Sequence, residues 1–111
     1  MQHPEFFCDV LPDRERVIVR VGGELDLAVA PEVATAVGDL LDVGFTRIVI
    51  DLRHLTFLDS AGVHTIASAH RSAAERGCAV SVVRGAPNVQ RVLELTGAES
   101  LLHFDDDPRG A

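Results

Sequence analysis

RIVIDLRHLTFLDSAGVHTI, residues 47–66, places a buried strand directly before a helix. Residues 47–52 form an almost continuous apolar run, of the kind that is buried on both faces of a parallel sheet. After the strand the apolar residues recur at helical spacing, and we expect a helix from Ser60 to about Arg76. An acid and a hydroxyl, Asp59 and Ser60, stand at the junction, and their function has to be explained.

The other segments alternate between strand and helix patterns. Runs rich in β-branched residues predict further strands at residues 6–11, 17–21 and 79–83, with a short edge strand at 101–104. Proline at the start and glycine at the end predict two more helices, from Pro31 to Gly44 and from Pro87 to Gly97. Turn residues at 12–15 join the first two strands as a hairpin, and Gly22-Gly23 end the second strand.

This alternation predicts an α/β fold, with a mixed and mostly parallel sheet, an N-terminal hairpin and crossover helices. The chain has 111 residues and a mass of 11.9 kDa, which is enough for one hydrophobic core. We therefore expect a single domain over residues 1–111, with a core at about 6–104. Residues 105–111 are expected to be a solvated acidic tail.

Charge and hydropathy exclude several classes of partner. The net charge is −7 and every basic residue is an arginine, with no local cluster that would attract a phosphate backbone. We expect no nucleic-acid binding. The N-terminus lacks the basic and apolar regions of a signal peptide, and no apolar run approaches the ~18 residues that span a bilayer. The chain is therefore expected to be cytoplasmic and free of the membrane.

No cofactor or metal site is predicted. Cys8 and Cys78 match no ligand spacing and are expected to be small buried side chains in a reducing compartment. The glycines at 22–23 are not followed by a phosphate-binding loop. Two metal ligands lie on one helix face when they are spaced i, i+4. That spacing is absent among His54, His64 and His70.

The helix after Ser60 has two distinct faces at 100° per residue. Its core face comprises Val63, Ile66, His70, Ala73 and Ala74. Its polar stripe comprises Ser60, His64, Ser68, Arg71 and Glu75. Ser60 heads this stripe at the turn where helix N–H groups have no internal partner, so its hydroxyl is expected to be exposed.

Two ordinary explanations exist for Asp59-Ser60. Either side chain suits a helix N-cap worth ~1 kcal/mol, although Gly62 and Val63 do not complete a capping box. A serine at a strand-to-helix turn also suits a small serine hydrolase. That motif requires G-x-S-x-G, whereas Leu58 stands at the first glycine position. Triad residue types are nevertheless present at His64, His103 and Asp105.

A third explanation comes from a family resemblance. GELD at residues 23–26 with the Pro31 helix, IVIDL at 48–52 and FLDSAG at 57–62 together resemble STAS domains. The resemblance covers roughly residues 17–104, and the similarity is greatest to stand-alone bacterial anti-sigma factor antagonists. It implies a binding module without enzymatic activity.

The resemblance also implies a phosphorylation switch at Ser60. In that family an anti-sigma factor that is also a serine kinase modifies this serine, and a serine phosphatase restores it. The unmodified antagonist binds the anti-sigma factor and releases a sigma factor. By position, the residues that flank the phosphosite or contact the partner are Asp26, Asp59, Ala61, Gly62 and His64.

The chain departs from the family at two places. Many relatives carry a second hydroxyl residue where Ala61 stands, and many continue into another helix where this sequence ends in DDDPRGA. The second departure predicts either exposed apolar surface that favours a homodimer or a change in which partner docks. A non-switching STAS subunit of another complex, such as a transporter accessory, is the alternative within the same family.

Overall fold

The computed structural model describes residues 5–105. Its elements in chain order are strands β1 (Phe7–Asp13) and β2 (Arg16–Leu25), helix α1 (Ala30–Val43), strand β3 (Arg47–Leu58), helix α2 (Ser60–Glu75), strand β4 (Ala79–Val83), helix α3 (Pro87–Leu95) and a 3₁₀ helix (Ala98–Leu101). The strand order is β1-β2-β3-β4, with β1 antiparallel to β2 and the other neighbours parallel. The predicted α/β fold with an N-terminal hairpin is confirmed.

The register of β2 and β3 brings the ends of the two strands together. Leu25 pairs with Leu58 at the last position of each strand. Because parallel strands end at the same edge of a sheet, the next residues, Asp26 and Asp59, follow at that same edge. Two loops that are distant in sequence therefore start side by side.

The three helices pack on one face of the sheet. Alternate residues of β2 are fully buried, and the buried side chains of all three helices belong to the same hydrophobic cluster as these strand residues. The members from the strands include Val17, Val19, Val21, Ile48, Ile50 and Val82. Strand alternation puts Arg20 and Asp51, which pair across β2 and β3, on the opposite face.

Gly22 and Gly23 do not end β2, as the sequence had suggested, but lie inside it. A Cβ on Gly22 would overlap the Phe7 ring, so the absent side chain makes room for that ring. Gly23 has a φ of 77° and lies against the carbonyl of Glu5. Both glycines are therefore required by close packing inside the hairpin, with the register of β2 shifting around them.

The predicted turn at residues 12–15 begins too early. Strand β1 continues through Pro12 to Asp13, and only Arg14-Glu15 form the loop, with Arg14 in the left-handed region at φ 63°. A proline is tolerated there because β1 is an edge strand.

The short strand predicted at 101–104 is wrong over most of its length. Leu101 belongs to the 3₁₀ helix, and only Phe104 forms an isolated parallel bridge with Val82. The amide of Asp105 donates to the Val82 carbonyl at 2.9 Å, so this residue is attached to the sheet. The rest of the predicted tail lies outside the described residues.

Helix α2 follows its prediction closely, ending at Glu75. One assignment on its core face is wrong, because Ala74 is exposed and Ala69 is buried instead. Both cysteines are free thiols, with Cys78 buried and Cys8 half-buried. Within residues 5–105, every helix is too short or too polar to cross a bilayer.

Candidate functional site

Asp59 is the N-cap of α2. Its backbone is extended, at φ −101° and ψ −172°, and its Oδ1 accepts a hydrogen bond from the Gly62 amide at 2.9 Å. The Asp59 carbonyl begins the helical ladder by accepting from Val63 at 3.0 Å. Of the two residues that could cap the helix, Asp59 therefore does so, and Ser60 is the first helical residue.

The same carboxylate also holds the loop that follows β2. Asp59 Oδ2 accepts from the Leu27 amide at 3.2 Å, and the Asp59 amide donates to the Leu25 carbonyl at 3.2 Å. Asp59 thus joins the start of α2 to the end of β2 and the loop after it. The predicted neighbourhood of the phosphosite is held together by this one side chain.

Asp26 has a separate structural task at the same edge. Its Oδ1 accepts from the amides of Ala28 at 3.0 Å and Val29 at 3.3 Å. Such a side-chain turn directs the chain into α1. Asp26 therefore shapes the loop beside the site through its own turn, and Asp59 anchors that loop from the other side.

Ser60 is exposed, and within the described residues its hydroxyl takes part in no hydrogen bond. Behind it, Ala61 is half-buried against the core and Gly62 is buried. A Cβ on Gly62 would stand 2.6 Å from the Leu25 carbonyl oxygen. The glycine therefore lets α2 start directly against the end of β2, with the Ser60 hydroxyl facing solvent.

The histidines do not form a hydrolase arrangement with Ser60. His64 is exposed one turn along α2, and its Nε2 lies 3.3 Å from Ser68 Oγ. The backbone amide of His103 donates to His70 Nε2 at 3.1 Å, so these two histidines interact with each other. Neither imidazole is hydrogen-bonded to Ser60 in the part of the chain that the structure describes, so the nucleophile lacks a general base.

Two apolar side chains beside the site were not singled out from the sequence. Leu27 is 74% exposed, and Phe57, next to the last residue of β3, is 47% exposed. Leu27 occupies the loop that Asp59 anchors. Because Leu27 stands in the apolar run Leu27-Ala28-Val29-Ala30, no signal in the sequence indicated that its side chain would be exposed.

A buried ion pair in the sheet was also missed. Asp51 is fully buried in β3, and its carboxylate accepts from Arg53 Nε at 3.0 Å, Arg53 Nη2 at 2.9 Å and the Arg53 amide at 3.0 Å. Burial by itself would raise the pKa of the Asp51 carboxyl, but these hydrogen bonds and the guanidinium charge hold that pKa below its usual value. Arg20 Nε approaches the same carboxylate at 3.7 Å.

The described residues contain no group of three or more histidine, cysteine or acidic side chains arranged to hold a metal ion. The site is therefore built from a capped helix start, an exposed hydroxyl and exposed apolar side chains. Such a surface suits recognition by a protein and modification of the hydroxyl.

Comparison with known proteins places this site in context. The STAS domain model matches residues 10–111. The anti-sigma-B factor antagonist of Staphylococcus aureus is 24% identical over 88 residues, which cover 79% of this chain and 82% of that protein. The crystal structure of an anti-sigma factor antagonist from Mycobacterium paratuberculosis is 25% identical with a TM-score of 0.83, covering 95% of this chain and 89% of that one.

A third comparison concerns a protein of known phosphorylation state. The structure of the Bacillus cell fate determinant SpoIIAA in its phosphorylated form superposes with a TM-score of 0.68 at 22% identity. The match covers 91% of both chains. At that identity the likeness shows a shared fold.

Proposed function

The chain belongs to the STAS domain family, and from this we propose that it is an anti-sigma factor antagonist switched off by phosphorylation of Ser60. When unmodified, it binds a cognate anti-sigma factor, which is a serine kinase, and a sigma factor is released. A serine phosphatase returns the modified form to the binding state. The chain itself acts in the cytoplasm as a non-enzymatic regulator.

The relatives support the antagonist role. The Staphylococcus aureus protein, matched over most of both chains, is an anti-sigma-B factor antagonist. The Mycobacterium paratuberculosis protein is an anti-sigma factor antagonist as well. The family match also agrees with the expectation that the chain is not an enzyme.

One observation carries the assignment to Ser60. Because Asp59 already caps α2 through Gly62, the Ser60 hydroxyl is not needed to satisfy the helix start. Ser60 is nevertheless presented to solvent as the first residue of that helix. The hydroxyl is therefore accessible and not engaged in capping, which supports the proposal that Ser60 is the phosphorylated residue. SpoIIAA, which shares the fold, exists in a phosphorylated form.

For phosphoryl transfer, this chain needs only to present an accessible Ser60 hydroxyl. Ser60 Oγ attacks the γ-phosphorus of ATP held by the kinase, an Oγ–P bond forms, the bond to the β-phosphate breaks, and ADP leaves. A base on the kinase takes the hydroxyl proton, since no base of this chain is bonded to Ser60 in the described residues. Hydrolysis of the phosphoserine by the phosphatase reverses the modification.

The phosphate then acts as a local obstacle. It adds about −1.5 to −2 charges at neutral pH, and the free amides at the helix start tolerate that charge within the domain. At an interface the same group meets a surface that had packed against a small neutral hydroxyl, and the Asp59 carboxylate adds negative charge beside it. Binding is therefore lost without unfolding.

The test is incubation of the full chain with its candidate anti-sigma kinase and ATP, followed by mass mapping. We expect the phosphate on Ser60, no modification of Ser60→Ala, and normal modification of Ser72→Ala, which removes an exposed hydroxyl from the same helix. Ser60→Ala should still bind the kinase. Phosphate on another residue would refute the site. Binding that is indifferent to phosphorylation would favour the non-switching STAS subunit.

A further inference from the structure

A cavity of about 450 Å³ lies beside α2, on the side of the helix that faces Leu101. Its size falls within the range of ~300–1,000 Å³ that is usual for small-molecule sites. Its apolar lining comes from two alanines one heptad apart, Ala67 and Ala74, and from Leu101, which is 66% exposed. Together these side chains give the cavity an apolar surface against which the hydrocarbon part of a ligand can pack.

The polar lining has one sign of charge. Arg71 lines the cavity together with His64, Ser68 and His70, and among residues 5–105 no acidic side chain lines it. This is a local reversal, because the chain as a whole carries a net charge of −7. A cavity lined only by cationic and neutral donors attracts an anion within an otherwise acidic protein.

Arg71 is available to bind that anion. Within residues 5–105 no ion pair includes Arg71, and Glu75 one turn further along α2 forms none with it. A guanidinium presents a planar fork of donors that fits a carboxylate with two parallel hydrogen bonds. Arg76 on the same helix, by contrast, is paired with Asp42 at 3.0 Å.

His70 adds a neutral donor rather than a second fixed charge. His70 Nε2 accepts from the His103 amide, so Nδ1 of this ring carries the hydrogen when the ring is neutral. Burial, with the nearby His103, lowers the pKa of His70, which keeps the ring neutral near pH 7. One permanent cation, Arg71, beside the neutral ring of His70 matches a monoanion better than a phosphate dianion.

We propose that this cavity binds a small organic carboxylate with an apolar body. The carboxylate pairs with the Arg71 guanidinium, and the apolar body lies against Leu101, Ala67 and Ala74. The site is separate from the Ser60 hydroxyl, and the proposal does not depend on the switch at that residue. No partner protein is required for binding.

The experiment uses octanoate as the probe and amide chemical shifts of the isotope-labelled full chain as the readout. We expect saturable shifts centred on residues 67, 74 and 101. Acetate, which has the charge without the apolar body, and 1-octanol, which has the body without the charge, should each bind at least ten-fold more weakly. Equal affinity for octanoate and either control would overturn the proposal, as would shifts centred elsewhere.

Three variants test the assigned contacts. Arg71→Gln should weaken octanoate binding at least ten-fold, whereas Arg91→Gln, which removes an exposed arginine from α3, should leave it unchanged. Ala67→Leu should fill the cavity and abolish binding while the shift pattern of the folded domain is retained. If Arg71→Gln and Arg91→Gln behave alike, or if Ala67→Leu binds as wild type does, the site is not the one proposed.

Discussion

The Leu27 amide donates a hydrogen bond to Asp59 Oδ2 at 3.2 Å, across 32 residues of sequence. The other oxygen of the same carboxylate accepts from Gly62. One side chain therefore fixes both the loop after β2 and the first turn of α2. This arrangement keeps the surface around Ser60 rigid on both sides of the serine.

Asp59→Ala should destabilise the domain by about 2 kcal/mol, because it removes a helix cap and a second hydrogen bond to a charged acceptor. Asp59→Asn retains one acceptor oxygen and should cost roughly half as much. Urea unfolding followed by circular dichroism measures both. Asp39→Ala, at an exposed position within α1, should change stability by less than ~0.5 kcal/mol. Equal stability of Asp59→Ala and wild type would contradict the dual role.

Gly62→Ala should destabilise the domain by more than ~2 kcal/mol, since its Cβ would meet the Leu25 carbonyl oxygen at 2.6 Å and Leu58 Cβ at 3.2 Å. Gly38 is the matched control, because it is also helical and a Cβ there meets nothing within 4 Å. Gly38→Ala should stabilise by up to ~1 kcal/mol through helix propensity. Thermal unfolding of the two variants should give melting temperatures that shift in opposite directions.

Ser60→Glu should separate stability from binding. The helix start tolerates a carboxylate, so the melting temperature should stay at or slightly above the wild-type value. Binding to the anti-sigma factor should weaken at least ten-fold, or ~1.4 kcal/mol, because one charge faces a surface complementary to a neutral hydroxyl. Calorimetric titration with the partner measures this.

Ser72→Glu is the control for Ser60→Glu. It adds the same charge about 18 Å further along α2 and should bind normally. If a well-folded Ser60→Glu variant binds with wild-type affinity, then either Ser60 lies outside the interface or one charge mimics phosphate poorly. Titration with the authentic phosphoprotein separates those two cases.

Asp51→Asn should lower stability near neutral pH by about 2 kcal/mol, through lost hydrogen bonds to a charged acceptor. The pKa of Asp51 is lowered in the folded state from its usual 3.8. The ionised carboxylate therefore makes its full contribution to the free energy of unfolding above about pH 5. That contribution is lost as the pH falls below ~4 and through the pKa of Asp51 in the folded state. The difference in the free energy of unfolding between wild type and Asp51→Asn should accordingly become smaller on acidification.

Denaturant titrations from pH 7 down to pH 3 test that trend. Asp13→Asn is the comparison, because it removes the charge of a carboxylate that is 54% exposed. In the wild type, Asp13 Oδ2 pairs with Arg16 Nη2 at 2.8 Å near the surface. The substitution should cost less than ~1 kcal/mol at any of these pH values. A stability difference for Asp51→Asn that stays constant with pH would refute the ion pair as its source.

Leu27→Ala should weaken partner binding by about 1–2 kcal/mol with little effect on folding, since the side chain is 74% exposed and its backbone makes the contact with Asp59. Leu95→Ala removes an equally exposed leucine, at 69%, from α3. That variant should bind normally. If both variants bind alike, the apolar surface beside Ser60 does not contribute to the interface.

The periodic segments could be predicted because each has one dominant pattern. The helical spacing after Ser60 placed α2 correctly, whereas the apolar run at residues 47–52 placed only the first half of β3, which continues to Leu58. The prediction that Gly22 and Gly23 end β2 was wrong. A glycine that ends a strand cannot be distinguished by sequence from a glycine that makes room for a neighbouring ring. The difference lies in Phe7, which reaches Gly22 only through hairpin pairing.

The site was partly predictable for the same reason. Ser60 and Asp59 could be singled out as candidates because a hydroxyl and an acid at a helix start are a local pattern. The contact between Asp59 and Leu27, and the pairing of Asp51 with Arg53 inside a sheet, depend on tertiary placement. Local sequence could not distinguish which of Asp59 and Ser60 caps α2, because either type of side chain can do so.

The register that ends β2 and β3 together has a consequence for synthesis of the chain. The surroundings of Ser60 are completed only when the loop at Leu27 meets Asp59, which requires both strands to have left the ribosome and paired. A nascent chain, or an excised peptide that carries LDSAG, lacks this assembled surface. Under the proposed switch at Ser60, we expect a kinase that recognises this surface to phosphorylate only molecules that have finished folding.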